Sequence, residues 1–114
     1  MTSARRALGA SGEDLAAAWY EANGYSVVAR NWRCRQGEID LVVRKGRTIV
    51  FCEVKTRSST AFGAPVEAVT RTKQARLRVL AGRWLEDAAV AAREIRFDVA
   101  SVLGDRLEIL EGAF

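Results

Sequence analysis

A chain of 114 residues, 49% of them hydrophobic, is long enough for one domain with its own core. It holds 18 Lys and Arg against 14 Asp and Glu and no histidine. That excludes Ser-His-Asp and Cys-His catalysis, histidine general bases and histidine metal ligation. Cys34 and Cys52 lack CxxC spacing and cannot build a typical zinc site. No apolar run would span a bilayer, and residues 1–10 carry Arg5 and Arg6 but no signal-peptide core, so a cytoplasmic location is expected, with both thiols reduced. The positive excess suits a polyanionic partner, although many inert proteins are equally basic.

Residues 1–10 read as a flexible tail and 11–114 as a single domain. Ser11 is placed as an N-cap with Asp14 three residues on, which predicts a helix over 12–23 with Leu15, Ala16, Trp19 and Ala22 inward and Gly24 as its left-handed terminator. A strand is predicted over 25–30, then a polar, basic connection over 31–36. Two further strands follow, 38–43 and 48–55, around a Lys45-Gly46 turn. A long Ser-, Thr- and Gly-rich break over 56–65 leads to a short turn at 66–69. A helix over 71–92 carries the apolar stripe Leu77, Leu80, Ala81, Trp84 and Leu85. Strands over 95–102 and 107–110 complete the chain. The hairpin predicts antiparallel pairing, and strand–helix–strand predicts a parallel pair. The expected fold is α/β, a mixed central sheet flanked by helices.

Charges sit inside the strand-like runs Gly37-Glu38-Ile39-Asp40 and Glu53-Val54-Lys55, where an unpaired charge costs free energy. With Lys45 and Gly46 as the two loop residues, Asp40 lies opposite Phe51 and diagonal to Glu53. Glu38, Asp40, Phe51, Glu53 and Lys55 then share one face, and Ile39, Leu41, Val43, Cys52 and Val54 the other. Crowded carboxylates repel unless a proton or cation intervenes, and Mg²⁺ or Mn²⁺ suits an oxygen donor set completed by water. Lys55 on the same line can steady an attacking water or charge building on phosphorus. Taken alone, Glu-x-Lys is equally a solvated strand face; Asp40 in register favours a site.

Lys73, four residues before Leu77, either snorkels to solvent or reaches a phosphate beside the acidic face, with Gln74 a weaker candidate. Arg30, Arg33, Arg35 and Arg57 flank that face and can anchor a phosphate backbone, or are ordinary surface charge. Trp32 fits a core or dimer role better than base stacking. Asp98 pairs with an arginine such as Arg96 or lies near the site. Phe62 and Gly63, in the long break, suit a segment that closes over substrate or exchanges contacts in a dimer. Glu13, in the first turn of the first helix, complements the helix dipole.

Asp40 followed by Glu53-Val54-Lys55 resembles the core of the PD-(D/E)XK nucleases, with spacing similar to archaeal Holliday-junction resolvases. That resemblance implies a helix–three strands–helix–strand core and gives Glu13 a part in the metal site. Gly12-Glu13, Gly24-Tyr25, Arg30-Asn31-Trp32-Arg33, Gly37 to Leu41, Phe51 to Arg57, Phe62-Gly63, Lys73 and Arg96-Phe97-Asp98 together resemble the YraN family of small bacterial proteins, from Gly12 to Val102. Ile39 stands where the superfamily's first motif has proline. The resemblance implies a Mg²⁺- or Mn²⁺-dependent endonuclease acting on DNA, branched or otherwise structured; a homodimer would suit a four-way junction, though nothing in the residues demands one. Asp40, Glu53 and Glu13 would hold metal, Lys55 would act at the attacked phosphate, and Lys73, Gln74, Arg33, Arg35 and Arg57 would hold the backbone. The alternative is a non-catalytic nucleic-acid-binding module that keeps the fold. A purely structural partner protein leaves the acids unexplained.

Overall fold

A computed structural model describes the backbone of residues 2–57 and 69–114, and side chains within those ranges from Gly12 onward. The elements are α1 (Thr2–Ala22), β1 (Ser26–Cys34), β2 (Gly37–Lys45), β3 (Thr48–Arg57), α2 (Arg71–Ala88), β4 (Glu94–Leu103) and β5 (Arg106–Leu110). The five strands lie in the sheet in chain order. Only β3 and β4 are parallel, because α2 carries the chain back between them; the other neighbours are antiparallel. This is the expected mixed α/β sheet.

The helices cover opposite faces. Ala16, Ala17 and Tyr20 of α1 pack with Leu41, Val43, Val50, Cys52 and Ala100. Leu77, Leu80, Ala81 and Trp84 of α2 pack with Val42, Ile49, Phe51, Phe97 and Val99. Covered on both sides, β3 is buried without a break from Ile49 to Glu53, which is why its sequence shows a continuous apolar run instead of alternation. Phe51 meets Trp84 edge-on at 5.8 Å and stacks on Phe97 at 5.7 Å between ring centres. Trp32 lies half-buried against this same core, in line with a packing role.

Several boundaries differ from expectation. Helix α1 begins at Thr2, not near Gly12, so the segment read as a tail is helical and Ser11 is not a cap. Ala4, Arg5, Arg6, Ala7, Leu8 and Ala10 are strong helix formers that outweigh Gly9 and Ser11. Its end is as predicted: Gly24 has φ 89°, and Gly24 and Tyr25 donate backbone N–H groups to the carbonyls of Glu21 and Tyr20. Strand β1 runs on to Cys34, into the 31–36 segment expected to be a connection, since Trp32 and Cys34 pack inward while Arg33 points out. Helix α2 stops four residues early. Ala89 adopts φ 51°, and the N–H groups of Arg93 and Glu94 then meet the carbonyl of Arg47 at the head of β4. Its start is capped by the Thr70 hydroxyl, which accepts from the Lys73 N–H. Phe62, Gly63 and most of the 66–69 turn lie outside the described residues.

At Gly12, α1 lies close against the sheet. A Cβ there would stand 2.5 Å from Thr56 Oγ1 and within 3.8 Å of Val54 and Val102. Overpacking costs ~1–3 kcal/mol, against ~1 kcal/mol gained in helix propensity. Gly12→Ala is therefore expected to lose about 1 kcal/mol in urea unfolding; a stabilised variant would show that the approach is not close.

Asp98 is fully buried in β4 and fully partnered. It accepts from Tyr20 Oη at 2.6 Å, Arg96 Nε and Nη2 at 2.9 and 3.0 Å, and the Gly112 N–H at 2.9 Å. These bonds tie α1, β4 and the turn after β5 together. The Arg96 guanidinium is held above its ordinary pKa chiefly by Asp98, and burial above all keeps the Tyr20 hydroxyl protonated as a donor. Asp98 thus pairs with Arg96 in a structural knot. Burial also pushes the Cys52 thiol up to about 12, which suits a packed cysteine and not a nucleophile.

Candidate functional site

The β2–β3 hairpin turns on Gly46 and Arg47, with Lys45 opposite Thr48 and Leu41 opposite Cys52. The expected turn was one residue earlier. The difference moves the register by two residues, which preserves the facing of every side chain. Asp40 therefore comes directly opposite Glu53, where a diagonal relation was expected, and both face the α2 layer. Strand pairing stops at Leu41–Cys52; beyond it the Asp40 carboxylate accepts the Val54 N–H at 2.9 Å. Alternation fails locally. Ile39, expected with Leu41 and Val43, packs instead in the α2-side core.

Asn31 marks the same irregularity from the other side. It falls between the Arg30–Leu41 and Trp32–Ile39 pairs, across from Asp40, with φ 52° in mid-strand. A non-glycine residue there is uncommon, and asparagine is among the few that tolerate it. Its amide donates to Glu13 Oε1 at 2.9 Å.

The carboxylates face a small open cleft of about 260 Å³, lined by Gly37, Glu38, Asp40, Glu53, Lys73, Arg76, Leu77 and Leu80. Glu53 is 7% exposed, and its Oε2 lies 3.5 Å from Lys73 Nζ. The Asp40 carboxyl is pushed up to about 7, first by burial, then by Glu53 beside it, against the Val54 N–H and Lys73. Two carboxylates this close repel when both are charged unless a proton or cation intervenes. The Lys55 ammonium is lowered, first by neighbouring Lys73 and then by burial. Lys73 loses something to burial but is held above its ordinary value by Lys55 and Glu53. Two lysines thus converge on two carboxylates.

Of the expected site residues, the structure brings Asp40, Glu53, Lys55 and Lys73 together. Glu13 is held at β1 by Asn31 and by Arg30 Nη2 at 3.7 Å, while Arg30 pairs more closely with Asp14 at 2.7 Å. No three carboxylate or thiol groups cluster tightly enough to share one ion among the described residues. Arg33 pairs with Glu38 at 3.1 Å, and Arg35 is exposed at the β1–β2 turn. Arg57 is half-buried at the end of β3. Gln74 donates its amide to the Val69 carbonyl at 3.1 Å, which serves the start of α2. Two residues of the neighbourhood escaped the sequence reading. Arg76, three residues beyond Lys73, shares its helical face, a spacing that could have flagged it. The role of Asn31 depends on a backbone angle that no spacing reveals.

The oxygen donor set fits a hard divalent cation. Asp40 and Glu53 offer two adjacent carboxylates that repel without a positive partner, in a cleft open to water. No helix among the described residues is long and apolar enough to cross a membrane.

Comparison with known proteins gives a consistent answer. The model of the uncharacterised protein family UPF0102 matches residues 12–102. A UPF0102 protein of Beutenbergia cavernae is 61% identical over 103 residues, covering 90% of this chain and 87% of the relative. One from Frankia alni is 51% identical over 116 residues, covering 97% of each chain. A third, from Acidothermus cellulolyticus, is 46% identical over 127 residues, covering 98% of this chain and 96% of its own. A family match over most of the chain, with relatives aligned nearly end to end, places this protein in the UPF0102 family, which is the YraN family.

Proposed function

We propose that the protein is a metal-dependent endonuclease that hydrolyses phosphodiester bonds in DNA, with branched or otherwise structured DNA as the favoured substrate class. The observation that carries this reading is the Asp40–Glu53 pair, half-buried Asp40 and buried Glu53 set across from each other on β2 and β3, with Lys55 and Lys73 converging on it. Asp40 and Glu53 would hold Mg²⁺ or Mn²⁺, which when bound supplies charge neutralisation and a more acidic water. Lys55 acts beside the attacked phosphate, donating to a non-bridging oxygen as charge builds there. Its lowered pKa and its place next to Lys73 suit a group that is partly desolvated at the reacting centre. Lys73 orients the Glu53 carboxylate. Glu13 would add a third carboxylate to that donor set if released from Asn31, which now donates to it at 2.9 Å.

The test is calorimetry with Mn²⁺, alongside cleavage of junction, flap and duplex DNA in Mg²⁺ and Mn²⁺. Asp40 adds a pH signature. Its folded pKa lies above its unfolded value of 3.8, so the neutral form favours folding. The stability it contributes is full below about pH 4 and is lost as pH rises through about 7. In EDTA the Asp40→Asn protein should gain in Tm relative to wild type between those limits and hold that gain above them. Mn²⁺ affinity should rise over the same range, with a proton released on binding below pH 7. A flat difference from pH 4 to 8 would disconnect Asp40 from the pair.

A second reading is a nucleic-acid-binding module without catalysis. It is favoured by Glu13, which bonds Asn31 and Arg30 at β1 and does not complete a three-carboxylate cluster. Strong, salt-sensitive DNA binding with no Mn²⁺ heat and no cleavage would decide for the module.

A further inference from the structure

The far end of the α2 layer carries a second charged feature. On β2 the row of side chains facing α2 runs Asp40, Val42, Arg44, so Arg44 continues the line of the acidic site toward the hairpin tip. There an open cleft of about 630 Å³ is lined by Arg44, Arg47 and Arg93 together with residues 89–92, which follow α2. The frame is fixed. The N–H groups of Arg93 and Glu94 both donate to the Arg47 carbonyl, at 2.9 and 3.3 Å, and Arg44 Nε donates to the Gly46 carbonyl at 2.8 Å.

What distinguishes these three guanidiniums is that a single cleft gathers them. Arg30, Arg33 and Arg96 each lie on a carboxylate. Among the described residues no carboxylate lies within 4.0 Å of the charged groups of Arg44, Arg47 or Arg93, although Glu94 lines the adjoining cleft. Like charges gathered on a rigid frame repel until an anion arrives, and forked guanidinium donors match phosphate oxygens.

The spacing ties the cleft to the acidic site. Arg47, in the turn just before β3, is six residues from Glu53, or ~20 Å at the usual strand rise, which is about six nucleotide steps at ~3.4 Å. Between them Arg76 reaches Gly37 in the acidic cleft, and Arg83, two helical turns on, is exposed on the same face of α2. We infer that Arg44, Arg47 and Arg93 form a phosphate clamp that holds the nucleic-acid backbone about six nucleotides from the cleft of Asp40 and Glu53. This rests on the reading of the substrate as a nucleic acid. The clamp gives position and affinity and reads no base.

The test is fluorescence anisotropy with a labelled 24-base-pair duplex in EDTA, from 50 to 300 mM salt, so that cleavage plays no part. Replacing Arg44, Arg47 and Arg93 together by Gln should weaken binding tenfold or more and lower the salt slope by about 2–3. Replacing all three by Lys should hold affinity within about threefold. If the Gln variant melts early, Arg47→Gln alone decides through a slope lower by about 1. Binding within twofold of wild type with an unchanged slope would overturn the clamp. So would a wild-type protein that binds poly-glutamate through these arginines and leaves DNA alone. Failure here with Asp40-dependent cleavage intact would leave the nuclease reading standing. A clamp that works in a protein that never cuts would do the reverse.

Discussion

Asp40→Asn is expected to reduce DNA cleavage on the order of a thousandfold, about 4 kcal/mol of transition-state stabilisation, while raising the stability of the metal-free protein above pH 7. The two effects have one cause. Asp40 and Glu53 face each other across the end of the β2–β3 ladder, and Asp40 is pushed up to about 7 by burial and by Glu53. Asparagine keeps the shape and can still accept the Val54 N–H, now 2.9 Å from the carboxylate. It removes the charge that a divalent cation needs and that its neighbour resists. Glu53→Gln should behave alike in cleavage, and in addition should loosen Lys73, which loses its carboxylate partner at 3.5 Å. Gain of stability together with loss of cutting is the pattern of a site held under electrostatic tension for function. A cutting rate within tenfold of wild type in both variants would remove these acids from the mechanism.

The second large effect is structural. Asp98→Ala is expected to cost about 3 kcal/mol or more, and ~10 °C or more in Tm, because it leaves a guanidinium and a buried hydroxyl facing a void. Arg96 is 22% exposed and keeps Glu111 at 3.3 Å, which softens the loss; for Tyr20 the neighbouring Cys52 thiol is a weaker substitute. Tyr20→Phe removes one bond to Asp98 and should cost about 1–2 kcal/mol. Urea unfolding of both variants measures this directly. A loss under 1 kcal/mol for Asp98→Ala would show that the knot is replaceable.

Much of this arrangement was legible in the residues. The alternation around Asp40 and Glu53 determined that they share a face, and it survived a turn misplaced by one residue because the register moved by two. Gly24 marked the end of α1 because few residues other than glycine take its backbone angle. Lys73 was found from its place on the α2 stripe. What could not be read were features that depend on tertiary forces. The early stop of α2 follows from Arg93 and Glu94 binding the Arg47 carbonyl, a contact between segments 46 residues apart. The full extent of β1 depends on Trp32 and Cys34 finding a core. The inward turn of Ile39 and the left-handed Asn31 belong to a local break in pleating, which no period-2 pattern contains. The cluster at Arg44, Arg47 and Arg93 draws on two distant segments and was invisible for the same reason.

The outermost ribbon, β1, has a shift of register between Val27 and Ala29 and a reversed backbone angle at Asn31. An unbroken border of free amides and carbonyls invites another polypeptide to dock and extend the sheet, the first step toward aggregates. Two kinks within five residues, with Arg30 between them, spoil that template. The distortion that sets the acidic cleft apart from ordinary sheet therefore also keeps this flank from recruiting stray strands.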